Sequence, residues 1–149
     1  MNYLNEAIKL ANLGVKNKEG GPFGAVVVNQ KGEIIGFGNN KVLLTNDPTA
    51  HAEVVAIRDA SRRINNYNLE GCKIYTTSEP CPMCLSAIIW ANIKEVYYST
   101  DKNEVGEIGV RDDLIYDYLR GLKKDIISLK KIENIDCEKL LEDYKNTIY

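Results

Sequence analysis

The sequence predicts an α/β fold, a three-layer α/β/α sandwich around a five-stranded mixed sheet. Three observations predict it. Short β-branched apolar runs alternate with longer amphipathic ones along the chain. Most of the strands are joined through helices, a connection that implies parallel pairs and helices on both faces of a sheet. Hydrophobic residues make up 44% of the chain against 27% charged, enough to bury a core and too apolar for a disordered tail. At 149 residues the chain fits one domain, 1–149.

Each element has its own signal. Tyr3, Leu4, Ala7, Ile8, Ala11, Leu13 and Val15 recur at helical spacings, and Gly20-Gly21-Pro22 ends that helix in a turn. Residues 23–28 and 33–37 read as two strands of a hairpin around Asn29-Gln30-Lys31-Gly32. A polar loop leads to a helix over 51–64. A strand at 73–77, an apolar helix at 82–91 and a strand at 95–99 follow, then a helix at 112–119, an extended segment at 125–129 and a last helix at 137–144. The order is αββαβαβα, then a strand and a terminal helix. No repeat, linker or low-complexity stretch interrupts it.

Charge and cysteine usage narrow the function. Nineteen Lys and Arg stand against 21 Asp and Glu, net −2, where a nucleic-acid binder usually carries a basic stripe. The longest unbroken apolar run, Ala87 to Ala91, is five residues, far short of the roughly 20 a membrane span needs. The first six residues lack the basic start and apolar stretch of a signal peptide, so a cytoplasmic protein is expected. Its four cysteines, Cys72, Cys81, Cys84 and Cys137, pose a choice between metal and redox chemistry rather than a disulfide framework. His51 is the sole histidine.

Three motifs converge on chemistry: His51-Ala52-Glu53, Glu79-Pro80-Cys81 and Cys81-Pro82-Met83-Cys84. Each lies at a predicted helix start, where free N–H groups and the helix dipole favour thiolate over thiol. Two thiolates and a neutral imidazole suit Zn²⁺, and three protein ligands leave a fourth position for water, as catalytic zinc sites do. Zinc lowers the pKa of such a water to about 7. Glu53 is two residues from His51, about 200° around a regular helix. Both can face one site only if His51 stands before the first regular turn. The spacing then gives one ligand and one proton shuttle. Two rival readings remain: a thioredoxin-like dithiol, and a closed structural zinc module using Cys72 or Cys137 as fourth ligand. Neither accounts for Glu53 beside His51. An H-x-E with a downstream P-C-x-x-C is the signature of the zinc nucleobase deaminases.

On these motifs the chain resembles the cytidine/deoxycytidylate deaminase superfamily in its purine-deaminating branch, and within it the small bacterial guanine deaminases. The resemblance is carried by the segments at 20–26, 46–54 and 78–85, by Trp90-Ala91 and by 112–116. It implies that His51, Cys81 and Cys84 bind one Zn²⁺ per subunit and that Glu53 shuttles the proton. It further implies that Asn39, Phe23, Asp112 and Tyr149 contact a purine base, with Asp113 one residue from Asp112. It also implies a homodimer in which a C-terminal segment, about 136–149, is exchanged between subunits. The expected reaction is hydrolysis of guanine to xanthine and ammonia. Guanosine, cytosine, an aminotriazine or a tRNA adenosine remain as alternative substrates.

Overall fold

A computed structural model describes residues 2–147. Four strands, β1 (Gly24–Val28), β2 (Ile34–Asn39), β3 (Lys73–Ser78) and β4 (Glu95–Thr100), form one sheet in the order β2-β1-β3-β4. β1 pairs antiparallel with β2 and β3, and β3 pairs parallel with β4. The sheet is therefore mixed, as expected. The helices are α1 (Tyr3–Lys16), α2 (Val42–Thr45), α3 (Ala52–Ile64), α4 (Pro82–Trp90), α5 (Lys102–Glu107), α6 (Asp112–Leu119) and α7 (Ile135–Asp143).

The two faces of the sheet follow from strand alternation. Gly36 and Gly38 of β2 face α3, and a Cβ on Gly38 would run into the Ala52 carbonyl and the Ala56 nitrogen. Gly24 of β1 faces α1 in the same way, against the Ala7 carbonyl. Small residues on both sides, Ala52, Ala56 and Ala60 of α3 among them, let helix and sheet backbones close up. The principal core lies between the sheet and α3 and α4, with Ala25, Val27, Leu69, Ile74, Ile88 and Ile93. On the α1 face Tyr3 leans on Tyr75, ring centroids 4.9 Å apart, and its hydroxyl donates to the Gly32 carbonyl.

Two differences from the expected order have physical causes. The sheet has four strands among the described residues, not five: residues 125–129 form no strand. A strand persists only where its N–H and C=O groups find another strand, and here every residue from 119 to 147 is exposed instead. Two short helices also appear inside expected loops. Lys41 provides no side-chain cap for α2, so four residues carry no signal. α5 did carry one, a capping box in which the Asp101 carboxylate accepts from the Asn103 and Glu104 N–H groups while the Glu104 carboxylate accepts from the Asp101 N–H.

Because Gly38 has no room for a side chain, Gly38→Ala overpacks the α3 contact at a cost of about 1–3 kcal/mol. Thermal unfolding should show Tm falling by at least roughly 2–4 °C; an unchanged Tm would contradict the close helix–sheet approach.

Candidate metal centre and active site

Two helix starts meet above the sheet. His51 is the N-cap of α3, with extended backbone (φ −68°, ψ 156°), and Cys81 is the N-cap of α4 (φ −64°, ψ 168°). Pro82 sits in the first turn of α4, where its missing N–H costs nothing. The Cys81 Sγ accepts from the Cys84 N–H at 3.5 Å. Because His51 precedes the regular helix, its ring and the Glu53 carboxylate share one site despite their spacing in sequence.

The donor atoms of His51, Cys81 and Cys84 lie within 4.8 Å of one another. Cys81 Sγ and His51 Nδ1 are 3.6 Å apart. Tetrahedral zinc with bonds of about 2.3 Å to sulfur and about 2.0–2.1 Å to nitrogen sets such a pair roughly 3.6 Å apart. Soft thiolates with one imidazole, at this spacing, fit zinc. Cys72 and Cys137 are not in the cluster, so the described residues supply three ligands.

Electrostatics follow from this crowding. The Cys81 thiol is pulled down to about 4, first by the hydrogen bond from the Cys84 thiol and then by those from the His51 ring and the Cys84 backbone. The Cys84 thiol is pushed up, because it shares its proton with Cys81 and is buried. His51 is raised, chiefly by its bond to Cys81. Glu53, only 6% exposed, is raised mainly by desolvation. Its Oε1 accepts from the Thr76 hydroxyl of β3 at 3.3 Å, which orients the carboxylate from the sheet side. A buried carboxyl that holds its proton more readily than usual is suited to moving one near neutrality.

A cavity of about 410 Å³ opens on Glu53, His51 and Cys81. Phe23, Val105, Val110, Pro48, Val42 and Leu43 give it apolar walls, and Asn40, Asp112, Ser78 and Glu79 add polar groups. Burial raises the Asp112 carboxyl, as does the negative charge of Cys81. Glu79 accepts from the Lys102 N–H at 2.8 Å, tying the cysteine turn to the start of α5.

Of the residues expected to touch substrate, Phe23 and Asp112 line this cavity, and Asp113 does not. Tyr149 lies outside the described residues. The structure does not bring Asn39 to the cavity. Asn39 ends β2 on the α1 face, where its Nδ2 donates to the Glu19 carboxylate at 2.6 Å and its side chain packs on Gly14. Alternation puts its neighbour Asn40 on the α3 side instead. Counting by twos from Gly36 and Gly38, which have no side chains to pack, would have found it.

Together these features define a class of protein: an α/β fold in which three residues placed to hold a metal stand beside a buried carboxylate. The model of the cytidine and deoxycytidylate deaminase zinc-binding region matches residues 1–100, and the chain belongs to that family. It is 50% identical over 114 residues to the guanine deaminase of Bacillus subtilis (strain 168), covering 76% of this chain and 72% of that protein. The X-ray structure of guanine deaminase from Bacillus subtilis superposes with a TM-score of 0.91 at 41% identity, covering 98% of this chain and 95% of that one. A tRNA-specific adenosine deaminase of Haemophilus influenzae is 41% identical over 97 residues, 65% of this chain and 56% of its own.

Replacing His51, Cys81 or Cys84 by Ala should weaken zinc binding by more than roughly 100-fold, beyond the loss that outer-shell changes alone produce. A Cys72→Ser, Cys137→Ser double variant should keep one zinc per chain by atomic absorption. Loss of zinc from the double variant would restore the structural-module reading.

Proposed function

We infer that the protein hydrolyses guanine to xanthine and ammonia with one zinc ion held by His51, Cys81 and Cys84. The observation that carries the chemistry is Glu53, a buried carboxylate directed at the same cavity as the metal donors. The likeness to guanine deaminase, over nearly the whole chain, supports the choice of base. Bound zinc supplies Lewis acidity and makes water nucleophilic near neutral pH.

The chain's own groups do the rest. Glu53 takes one proton from the water as the water oxygen bonds to C2, and passes that proton to the ring nitrogen. It then takes the second proton from the hydroxyl now on C2 and passes it to the amine, so that the C2–N bond breaks, ammonia leaves and C2 keeps a carbonyl oxygen. Thr76 keeps the carboxylate from turning away. Phe23 forms an apolar wall for the flat base. The Asn40 Oδ1 accepts from the Val42 N–H at 3.1 Å, which leaves Nδ2 as a donor to an acceptor on the purine. Asp112 accepts from a purine N–H. A pocket of fixed, partly desolvated polar groups rejects bases that leave those groups unpaired. The residues read as contacting substrate are thus Phe23, Asn40 and Asp112, with Tyr149 as a fourth from the tail.

The whole chain acts as one deaminase domain that works as a homodimer. Residues 119–147 are exposed throughout, including Leu129, Ile132, Ile135, Leu140 and Leu141. Leu85, Ile89 and Trp90 of α4 are uncovered too, with Trp90 75% exposed. Apolar surface on that scale marks a contact surface. A second copy covers it when segment 136–149 crosses over, which also brings Tyr149 to the neighbouring cavity. No helix among the described residues is long and apolar enough to cross a membrane. The thiolate ligands fit a reducing, cytoplasmic setting.

Ammonia release from the zinc-loaded protein should be far faster with guanine than with guanosine, adenine or cytosine. Preference for another of these would withdraw the pocket assignment and keep the zinc chemistry; turnover of a tRNA anticodon alone would move it to RNA. Glu53→Gln should lower kcat by on the order of 10²–10⁴-fold with zinc content unchanged.

Sedimentation should give a dimer for the full chain, and deletion of residues 136–149 should abolish guanine turnover. A fully active truncated monomer would remove the exchange.

A further inference from the structure

Glu19 lies outside the cavity, in the turn between α1 and β1, and none of the motifs above includes it. Its carboxylate and its carbonyl both bond to the segment that carries Asn40. The carboxylate accepts from Asn39 Nδ2 at 2.6 Å, a short charge-assisted bond. The Glu19 carbonyl accepts from the Leu43 and Leu44 N–H groups, both at 3.0 Å. Its own N–H donates to the Gly14 carbonyl at 2.9 Å, anchoring the turn to α1. Among the described residues Glu19 has no ion pair, so its charge is committed to an amide.

The segment so held has further bonds of its own. Asn39 Nδ2 also donates to the Asn40 carbonyl at 3.3 Å, and the Asn40 N–H donates to the Phe23 carbonyl at 3.1 Å. Gly20, next to Glu19, lies so close that a Cβ there would meet the Asn40 Oδ1 and carbonyl. Glu19 therefore fixes residues 39–44 at both ends, and Gly20 presses on the middle. What remains free is the Asn40 amide nitrogen, near Gly21 at the cavity wall.

We propose that Glu19 is a positioning residue for base recognition: clamping Asn39 from the α1 face and residues 43 and 44 through its carbonyl, it aims the Asn40 amide into the cavity. Glu19 touches neither metal nor substrate. Its contribution is to binding of the base and passes through Asn40. The proposal rests on Asn40 as a base-contacting residue.

Steady-state kinetics with guanine on zinc-loaded, full-length protein test it. Glu19→Ala should raise KM roughly 10-fold or more, the loss expected for a charge-assisted hydrogen bond, with kcat within about 3-fold and zinc content unchanged. Glu19→Gln, which can still accept from Asn39, should return KM to within about 3-fold of the parent. In an Asn40→Ala background, Glu19→Ala should change KM by less than about 2-fold, because the route is already cut. An unchanged KM in Glu19→Ala overturns the proposal. So does a KM effect of the same size with and without Asn40, or a fall in kcat and zinc together. If Asn40→Ala itself leaves KM unchanged, the reading of Asn40 is what fails, and the proposal falls with it.

Discussion

A metal-activated water and the group that moves its protons must be held within a few ångströms of each other in a place largely closed to solvent. In this protein that constraint is met by two helix starts. His51 and Cys81 occupy N-cap positions, where the backbone is still extended and a side chain can turn back across the end of its helix. Free N–H groups at those ends and the helix dipole favour the thiolate. The rest of the architecture serves to bring the two ends together: α3 leaves a loop after β2, α4 leaves β3 directly, and both pack on one face of the sheet.

That face is closed by small residues. Glycines in β2 opposite alanines in α3 allow a backbone approach that a larger side chain would prevent. Such a close approach carries Glu53 down onto Thr76, so that its carboxylate is desolvated and yet satisfied. Packing and proton chemistry are thereby coupled, since moving α3 outward would hydrate Glu53 and lower the proton affinity that burial gives it.

The outer half of the cavity is built differently. Its walls come from loops and short helices: Gly20 and Gly21, then Asn40, Val42 and Leu43, and the α5–α6 region with Val105, Val110 and Asp112. Loops of this kind can alter the recognised base while the metal centre stays fixed on rigid elements. That division explains how one family includes relatives acting on a free base and on tRNA, as the names of the similar proteins show.

The sequence by itself determined which residues make up the candidate centre. Ligand types, their order and the two-residue step from His51 to Glu53 single them out, because chemistry restricts local spacing tightly; that Cys72 and Cys137 stand apart from the cluster was decided only by the fold. It also determined most elements, since β-branched runs and helical periodicity are local properties. Tertiary structure decided which asparagine faces the cavity: one step along a strand changes the face, and Asn39 and Asn40 are equivalent until β2 has a register. It decided the strand count as well. Residues 125–129 have the composition of a strand, but a strand is completed by the edge it pairs with, and composition does not specify where that edge lies. Glu19 was silent for the same reason, for its meaning resides in contacts with residues 20 to 25 positions away, which only the folded chain brings within reach.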